Sequence, residues 1–223
     1  MFKIEELFDL SETIASSLFR QILYPWDVLD EIPTYILQIG ELLPEDDFFH
    51  PKTDIWIAKD AMIQESAYID GPCIIDHGAQ IRHCALIRNG AIIGQNTVVG
   101  NSTEVKNAIL FNNVETPHYN YIGDSILGFH AHMGAGSVTS NIKSDRSAVT
   151  IHDENGMEIY TNRIKIGAML GDFTEIGCNS VLNPGTVIGR YTSVYPTSNV
   201  RGVLPANSIY KDREHVIARW ESK

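Results

Sequence analysis

The sequence is poor in cysteine and in basic residues, and it holds no long hydrophobic run. Three cysteines, Cys73, Cys84 and Cys178, form no C-x-x-C pair. An odd, scattered set supports neither a disulfide framework nor a zinc knuckle and fits a reducing compartment. Lys and Arg number 17 against 28 Asp and Glu, a formal charge of −11. That balance excludes general binding of nucleic acid or of an anionic membrane, because both exchange counterions for a basic surface. A phosphate-bearing ligand must therefore find a local basic pocket. The opening MFKIEELFDL puts acidic residues where a signal peptide needs a basic region and an apolar run, and nothing downstream approaches a membrane span. A cytoplasmic protein is expected. What the chain does have is 43% hydrophobic residues in 223, enough for one elongated, ordered domain with small flanking pieces.

The hydrophobic residues are spaced by six. Ile57, Ile63, Ile69, Ile75, Ile81, Ile87, Ile93, Val99 and Val105 form one ladder. A small residue follows four places after each of the first eight: Ala61, Ala67, Cys73, Ala79, Ala85, Ala91, Thr97 and Thr103. The frame returns at Leu170, Ile176, Leu182, Ile188, Val194 and Val200. A helical period of 3.6 cannot produce this. The spacing predicts a triangular parallel β-helix, with aliphatic residues stacked inward from coil to coil and small ones at the corners. Such a solenoid needs protected ends. Residues 1–50 carry helical patterns from Ser11 to Leu23 and from Ile36 to Leu43, with Trp26, Ile32 and Tyr35 as packing candidates, and a short helix is expected from Asp212 to Trp220. The expected divisions are a helical segment over 1–50, the β-helix over 51–205 and a tail over 206–223.

Between Lys106 and Ile164 the repeat slips, with fragments kept at Ile122, Met133 and Val138. Within it, alternation around Val149 and Ile151 and a turn at Asn155-Gly156 predict a hairpin near 145–163 that protrudes from the helix, either to meet a neighbouring subunit or to shape a ligand cleft. The stretch Gly100 to Asn141 also gathers Glu104, Lys106, His118, Tyr121 and Asn141. An imidazole titrating near 6.5 is a natural general base for transfer to an amine or hydroxyl. Any single histidine, taken alone, is more simply a surface or structural residue. His130-Ala131-His132 has no third ligand partner, so no metal is expected, and His77 and His83, six residues apart, belong to different faces.

The blocks Gly100-Asn101, Glu104-Val105-Lys106, His118-Tyr119-Asn120-Tyr121-Ile122-Gly123-Asp124, Gly134-Ala135-Gly136 and Asn141, in this order and spacing, resemble the acetyltransferase half of the bifunctional UDP-N-acetylglucosamine pyrophosphorylase and glucosamine-1-phosphate N-acetyltransferase family, over about Ile57 to Tyr210. The resemblance implies a left-handed β-helix in the hexapeptide-repeat acyltransferase superfamily, assembled as a homotrimer with sites between neighbouring chains. It implies acetyl-CoA as co-substrate and a sugar phosphate or nucleotide sugar as acceptor, in cell-envelope precursor chemistry. His118 is implied as general base, Asn141 beside it, and the Ala135 N–H as oxyanion donor. Arg88, Lys106 and Tyr121 are implied to hold the sugar phosphate, and His132, where the family has asparagine, to contact the acceptor. Ala135, Cys178 and Tyr195 are implied to lie along the CoA path. Cys178 is no nucleophile, since it occupies a small corner position and no histidine flanks it. The family's nucleotidyltransferase half has no counterpart, as no G-x-G-T-R loop opens the chain. A non-catalytic β-helix serving assembly or ligand sensing is the alternative reading.

Overall fold

The computed structural model describes residues 2–153 and 156–219. Its core is a parallel β-solenoid with three faces. On the first face Ile57 lies against Ile75 and Ile75 against Ile93, eighteen residues on, and the column continues through Leu110, Leu127, Leu170, Ile188 and Leu204. The second face carries Ile63, Ile81, Val99, Thr116, Met133, Ile176, Val194 and Tyr210. The third carries Ile69, Ile87, Val105, Ile122, Thr139, Leu182 and Val200. Nearly all of these are buried. Because each residue stacks on its counterpart one coil away, every inward side chain closes the gap above and below it, and the apolar core forms between coils.

The slip in the repeat is two single-residue deletions, at the corners of Asn107 and Asp124, followed by the insertion that carries the hairpin. Arg88 faces Lys106 and Ala91 faces Ala108, so the corner made by Asn89 and Gly90 in one coil is made by Asn107 alone in the next. All three corner residues have positive φ, at 54°, 90° and 48°, a conformation that glycine and asparagine enter at least cost. The ladder resumes one place out of frame at Ile122 and, after the equally short corner at Asp124, two places out at Met133. Ile122 and Met133 are inward as expected, but the inward position on the next third-face strand belongs to buried Thr139, and Val138 faces outward.

The hairpin forms from Thr150–His152 and Glu158–Tyr160, paired antiparallel. Of its expected turn residues, Asn155 lies outside the described residues. The hairpin does not protrude freely. Val149, Ile151 and Ile159 are buried, and Val149 and Ile151 rest over Gly185, where an added Cβ would sit 2.8 and 2.9 Å from their side-chain carbons. Arg163 ties the hairpin's return strand to the N-terminal segment through Asp30, at 2.6 Å.

That N-terminal segment holds α1 (Ile4–Leu7), 3-10 turns over Leu10–Glu12, Ser16–Phe19 and Pro25–Asp30, and α2 (Ile32–Gly40). The helix expected from Ser11 to Leu23 is replaced by turns because Thr and Asp side chains bond to nearby backbone: Thr13 Oγ1 accepts from Ala15 N at 3.1 Å, and Asp9, just before the segment, accepts from Ser11 N at 3.0 Å. Trp26, Ile32 and Tyr35 are buried as expected. The segment runs along the first face. α2 packs on the strands Cys73–Ile75, Leu86–Ile93 and Glu104–Leu110, Phe8 and Phe19 pack on Phe111 with ring centroids 5.2 and 5.8 Å apart, and Asp172, two coils beyond Phe111, accepts from Asp9 N.

The expected C-terminal helix is corrected to a strand. Asp212 accepts from the Glu214 and His215 N–H groups to make a turn, and Val216–Ala218 returns antiparallel on Ser208–Tyr210. The β-branched pair Val216-Ile217 satisfies the open sheet edge better than a helix would. Trp220 lies outside the described residues. Among the described residues, no helix is long and apolar enough to cross a membrane.

Candidate functional site

His118 ends the strand Glu115–His118 at the edge between the second and third faces. Its backbone is fixed from three directions. Gly100 lets the preceding coil come close, since a Cβ there would fall 1.7 Å from the Pro117 carbonyl oxygen. The His118 N–H donates to Asn120 Oδ1 at 3.1 Å, and the His118 carbonyl accepts from Gly136 N at 3.0 Å. Asn120 is buried and donates onward to the Gly134 and Ser137 carbonyls. The imidazole itself is exposed. The same edge then repeats coil by coil: Asn179 N donates to the Ala135 carbonyl, and Thr197 N to the Cys178 carbonyl, each at 2.8 Å. His118, Ala135, Cys178 and Pro196 are thereby stacked on one ridge, with Tyr195 one place before it, and the Ala135 N–H has no hydrogen-bond partner among the described residues.

Beside this ridge, the third face carries a polar cluster. Arg88 faces Lys106, and Glu104 faces Tyr121. Arg88 pairs with Glu104 at 2.7 Å. Lys106 pairs with Asp124 at 3.1 Å, with side chains only 14% and 6% exposed. Asp124 also accepts from Asn107 at 2.9 Å and from Asn141 at 2.5 Å, and Asn141 donates to the Tyr121 hydroxyl oxygen at 3.1 Å. Burial, and then the charges of Asp124 and Glu104, push the Tyr121 phenol above its ordinary value. The phenol therefore stays neutral, with its proton free to donate.

Residues 69–216 match the model of the GMPPB C-terminal domain family. The chain belongs to this family. It is 29% identical over 104 residues to a bifunctional sugar-1-phosphate nucleotidylyltransferase/acetyltransferase of Sulfurisphaera tokodaii, covering 47% of this chain and 26% of that protein. It is 30% identical over 113 residues to the bifunctional protein GlmU of Methanococcus maripaludis, covering 50% of this chain and 27% of that protein. The chain thus spans about a quarter of the length of these curated relatives. Among solved structures it is similar to AntD, an N-acyltransferase from Bacillus cereus in complex with dTDP and 3-hydroxybutyryl-CoA, with a TM-score of 0.41, 18% identity, and coverage of 81% of this chain and 88% of that one.

Within the matched region the residues singled out from the sequence fall into three places. His118, Ala135 and Cys178 share the ridge with Tyr195 beside it, and Arg88, Lys106, Tyr121 and Asn141 share the third face. His132 joins neither group within one chain: it sits on the second face, and its Nδ1 bonds Glu175 at 3.0 Å. The expected basic pocket is also revised, because both cations already meet carboxylates. Sequence reasoning missed Asp124 and Asn120. Asp124 stood in the motif without a role, and its signal was position: an aspartate at a corner, held at a φ of 48°, where Asp and Asn are favoured.

The other candidates resolve simply. His130 stacks on Phe173 at 5.4 Å while His132 faces Glu175, and among the described residues no group of three His, Cys, Asp or Glu side chains is placed to hold a metal ion. His77 bonds Asp60 and His83 bonds Ser66, on different edges. Cys73 is buried, and burial pushes its thiol up to about 12, so it is inert; Cys84 and Cys178 are exposed.

Proposed function

We propose that this chain is an acyltransferase that moves an acyl group, most simply acetyl, from coenzyme A to the amine of an amino-sugar phosphate. The observation that carries this reading is the ridge: an exposed imidazole with, one coil below it, a backbone N–H that meets no acceptor among the described residues, next to a third face bearing a neutral phenol and two cations. In the reaction the His118 imidazole takes a proton from the acceptor amine as its nitrogen bonds to the thioester carbonyl carbon. The Ala135 N–H receives the developing oxyanion. The C–S bond then breaks and coenzyme A leaves as thiol, the proton returning from the imidazolium. Cys178 and Tyr195 border the pantetheine path along the same ridge. Arg88, Lys106 and Tyr121 hold the phosphate of an acceptor such as glucosamine-1-phosphate, with Asn141 oriented by Asp124. Glu104 and Asp124 set the two cations in place, and the phosphate shares them with those carboxylates, which tempers its affinity.

The working unit is proposed to be a homotrimer, in which His132 of a neighbouring chain's second face completes the acceptor site on the third. A second reading, a non-catalytic assembly or sensing module, draws support from the same ion pairs, since Arg88 and Lys106 have structural partners without any ligand.

Release of free thiol from acetyl-CoA decides between the two readings, measured over a panel of amino-sugar phosphates, amino sugars and nucleotide sugars. Wild type is expected to release thiol in an acceptor-dependent way. His118→Ala is expected to lower the rate by roughly 10²–10⁴ with an unchanged Tm, because His118 is exposed. No release with any acceptor, together with no binding of coenzyme A, would establish the module instead.

A further inference from the structure

We propose that Tyr119 selects the acceptor, its aromatic ring stacking on the sugar ring of the substrate where the ridge meets the third face. The inference rests on the transferase reading above and adds a specificity contact to that same site.

The corner between the second and third faces is made, one residue per coil, by Cys84, Ser102, Tyr119, Gly136, Asn179 and Thr197, each at a φ between 52° and 73°. Glycine and asparagine enter this left-handed conformation at least cost, whereas a bulky aromatic there is an outlier. Three other aromatic corners, His130, Phe173 and Tyr191, share the left-handed conformation on the edge between the first and second faces. Those three stack on one another: His130 lies 5.4 Å from Phe173 at 16°, and Phe173 lies 4.8 Å from Tyr191 at 5°. Ring contact offsets their strain. Tyr119 meets no ring or cation among the described residues and is 65% exposed. Its backbone strain and its exposed ring thus have no contact inside the chain to offset them, the pattern expected where a ligand supplies one.

The place of the ring is fixed by its backbone. Tyr119 N donates to the Asn101 carbonyl at 2.9 Å, and the His118 N–H closes the turn on Asn120 Oδ1 at 3.1 Å. The adjoining corners in the column are Ser102 and Gly136, so no large corner side chain covers either face of the ring. The Asn179 amide reaches up only as far as Gly136, where an added Cβ would fall 2.3 Å from its Oδ1. His118 precedes Tyr119 on the ridge, and Tyr121 follows it on the third face. An acceptor with its phosphate at Lys106 and Tyr121 and its amine at His118 must therefore span this corner. The part that crosses is the sugar ring, whose apolar C–H face can lie against an aromatic face. The contact needs the ring of Tyr119 and not its hydroxyl.

Steady-state thiol release from acetyl-CoA tests this on wild type, Tyr119→Phe and Tyr119→Asn, with the fastest acceptor of the panel above, every member of which carries a sugar ring. Tm and light scattering are measured on the same proteins. Tyr119→Phe is expected to keep the wild-type KM for the acceptor. Tyr119→Asn suits the corner better and is expected to raise Tm by about 2–4 °C. It is also expected to raise the acceptor KM roughly tenfold, the order of one aromatic contact, with the KM for acetyl-CoA unchanged. An unchanged acceptor KM in Tyr119→Asn, or a rise in Tyr119→Phe as large as in Tyr119→Asn, overturns the proposal. So does a lower Tm in Tyr119→Asn, which would make the ring part of the fold, or a changed mass, which would give it to a contact between copies. Acceptor-dependent release that ignores Tyr119 sinks this inference alone. No release from wild type with any acceptor sinks the transferase, and the stacking role with it.

Discussion

Three donors converge on Asp124, from Lys106, Asn107 and Asn141, and its carboxylate is almost wholly enclosed. Replacing it with alanine strands the Lys106 ammonium in a largely buried position with no counter-charge. Breaking a buried pair in this way costs about 3–5 kcal/mol, so Asp124→Ala is expected to lower the urea midpoint by a corresponding amount, whereas a loss below about 1 kcal/mol would mean that water already serves Lys106. The identity of His118, Tyr121 and Asn141 as a group was legible in the sequence, because the motif that holds them is continuous apart from one coil. The role of Asp124 was not, because pairing between outward side chains is set by the coil register and the one-residue deletion at Asn107. A second buried carboxyl, Asp76, is 4% exposed and accepts from His77 N at 2.8 Å. Burial pushes it above its ordinary 3.8. The folded state thus holds this proton more tightly than the unfolded chain, and stability falls as pH rises from 3.8 through the folded value. Asp76→Asn keeps the acceptor and removes the charge, so its Tm should exceed that of wild type at pH 7, with the gap closing as pH is lowered toward 4. A gap that ignores pH would remove burial as the cause.

At the scale of elements, what the sequence disclosed was the part governed by neighbours six residues apart. An inward aliphatic and a small corner residue recur locally, so the coils of both regular blocks could be read directly. The N-terminal segment could not, since an apolar pattern at helical spacing does not say whether Thr and Asp side chains will capture nearby backbone, and here Thr13 and Asp9 do. The hairpin was legible as a hairpin, but its packing was not, because the surface it meets lies beyond it in sequence at Gly185. That contact is testable. Gly185 has a φ of +79°, and a Cβ there would press on Val149 and Ile151. Gly185→Ala combines left-handed strain with displacement of two buried side chains and is expected to cost about 2–3 kcal/mol. Amide exchange should quicken at Ile151 and Ile159 while the first-face strand Cys73–Ile75 stays protected; uniform quickening would show that the hairpin is cooperative with the solenoid.

For the whole molecule, the decisive fact is which faces remain open. The N-terminal segment covers the first face from the coil of Cys73–Ile75 to that of Asp172, so it shields a side of the solenoid rather than its end. The second and third faces are left, with His118 on the edge between them. His132 on one and the Tyr121 cluster on the other cannot meet in one chain, but they can if the second face of each copy approaches the third face of the next. Such a head-to-tail contact closes as a ring. Exposed apolar side chains mark the open faces: Val181 on the third is 37% exposed, and Tyr195 beside the ridge is 47% exposed. Light scattering is therefore expected to give a mass three times the 24.9 kDa of the chain. Val181→Glu places a charge in that contact without touching a proposed catalytic group, and it should yield a folded monomer whose thiol release falls by about 100-fold, the order expected when a site loses its positioning groups. A monomeric Val181→Glu protein that turns over at the wild-type rate would mean that His118, Ala135 and the third-face cluster of a single chain make the complete site, and that His132 serves only its bond to Glu175.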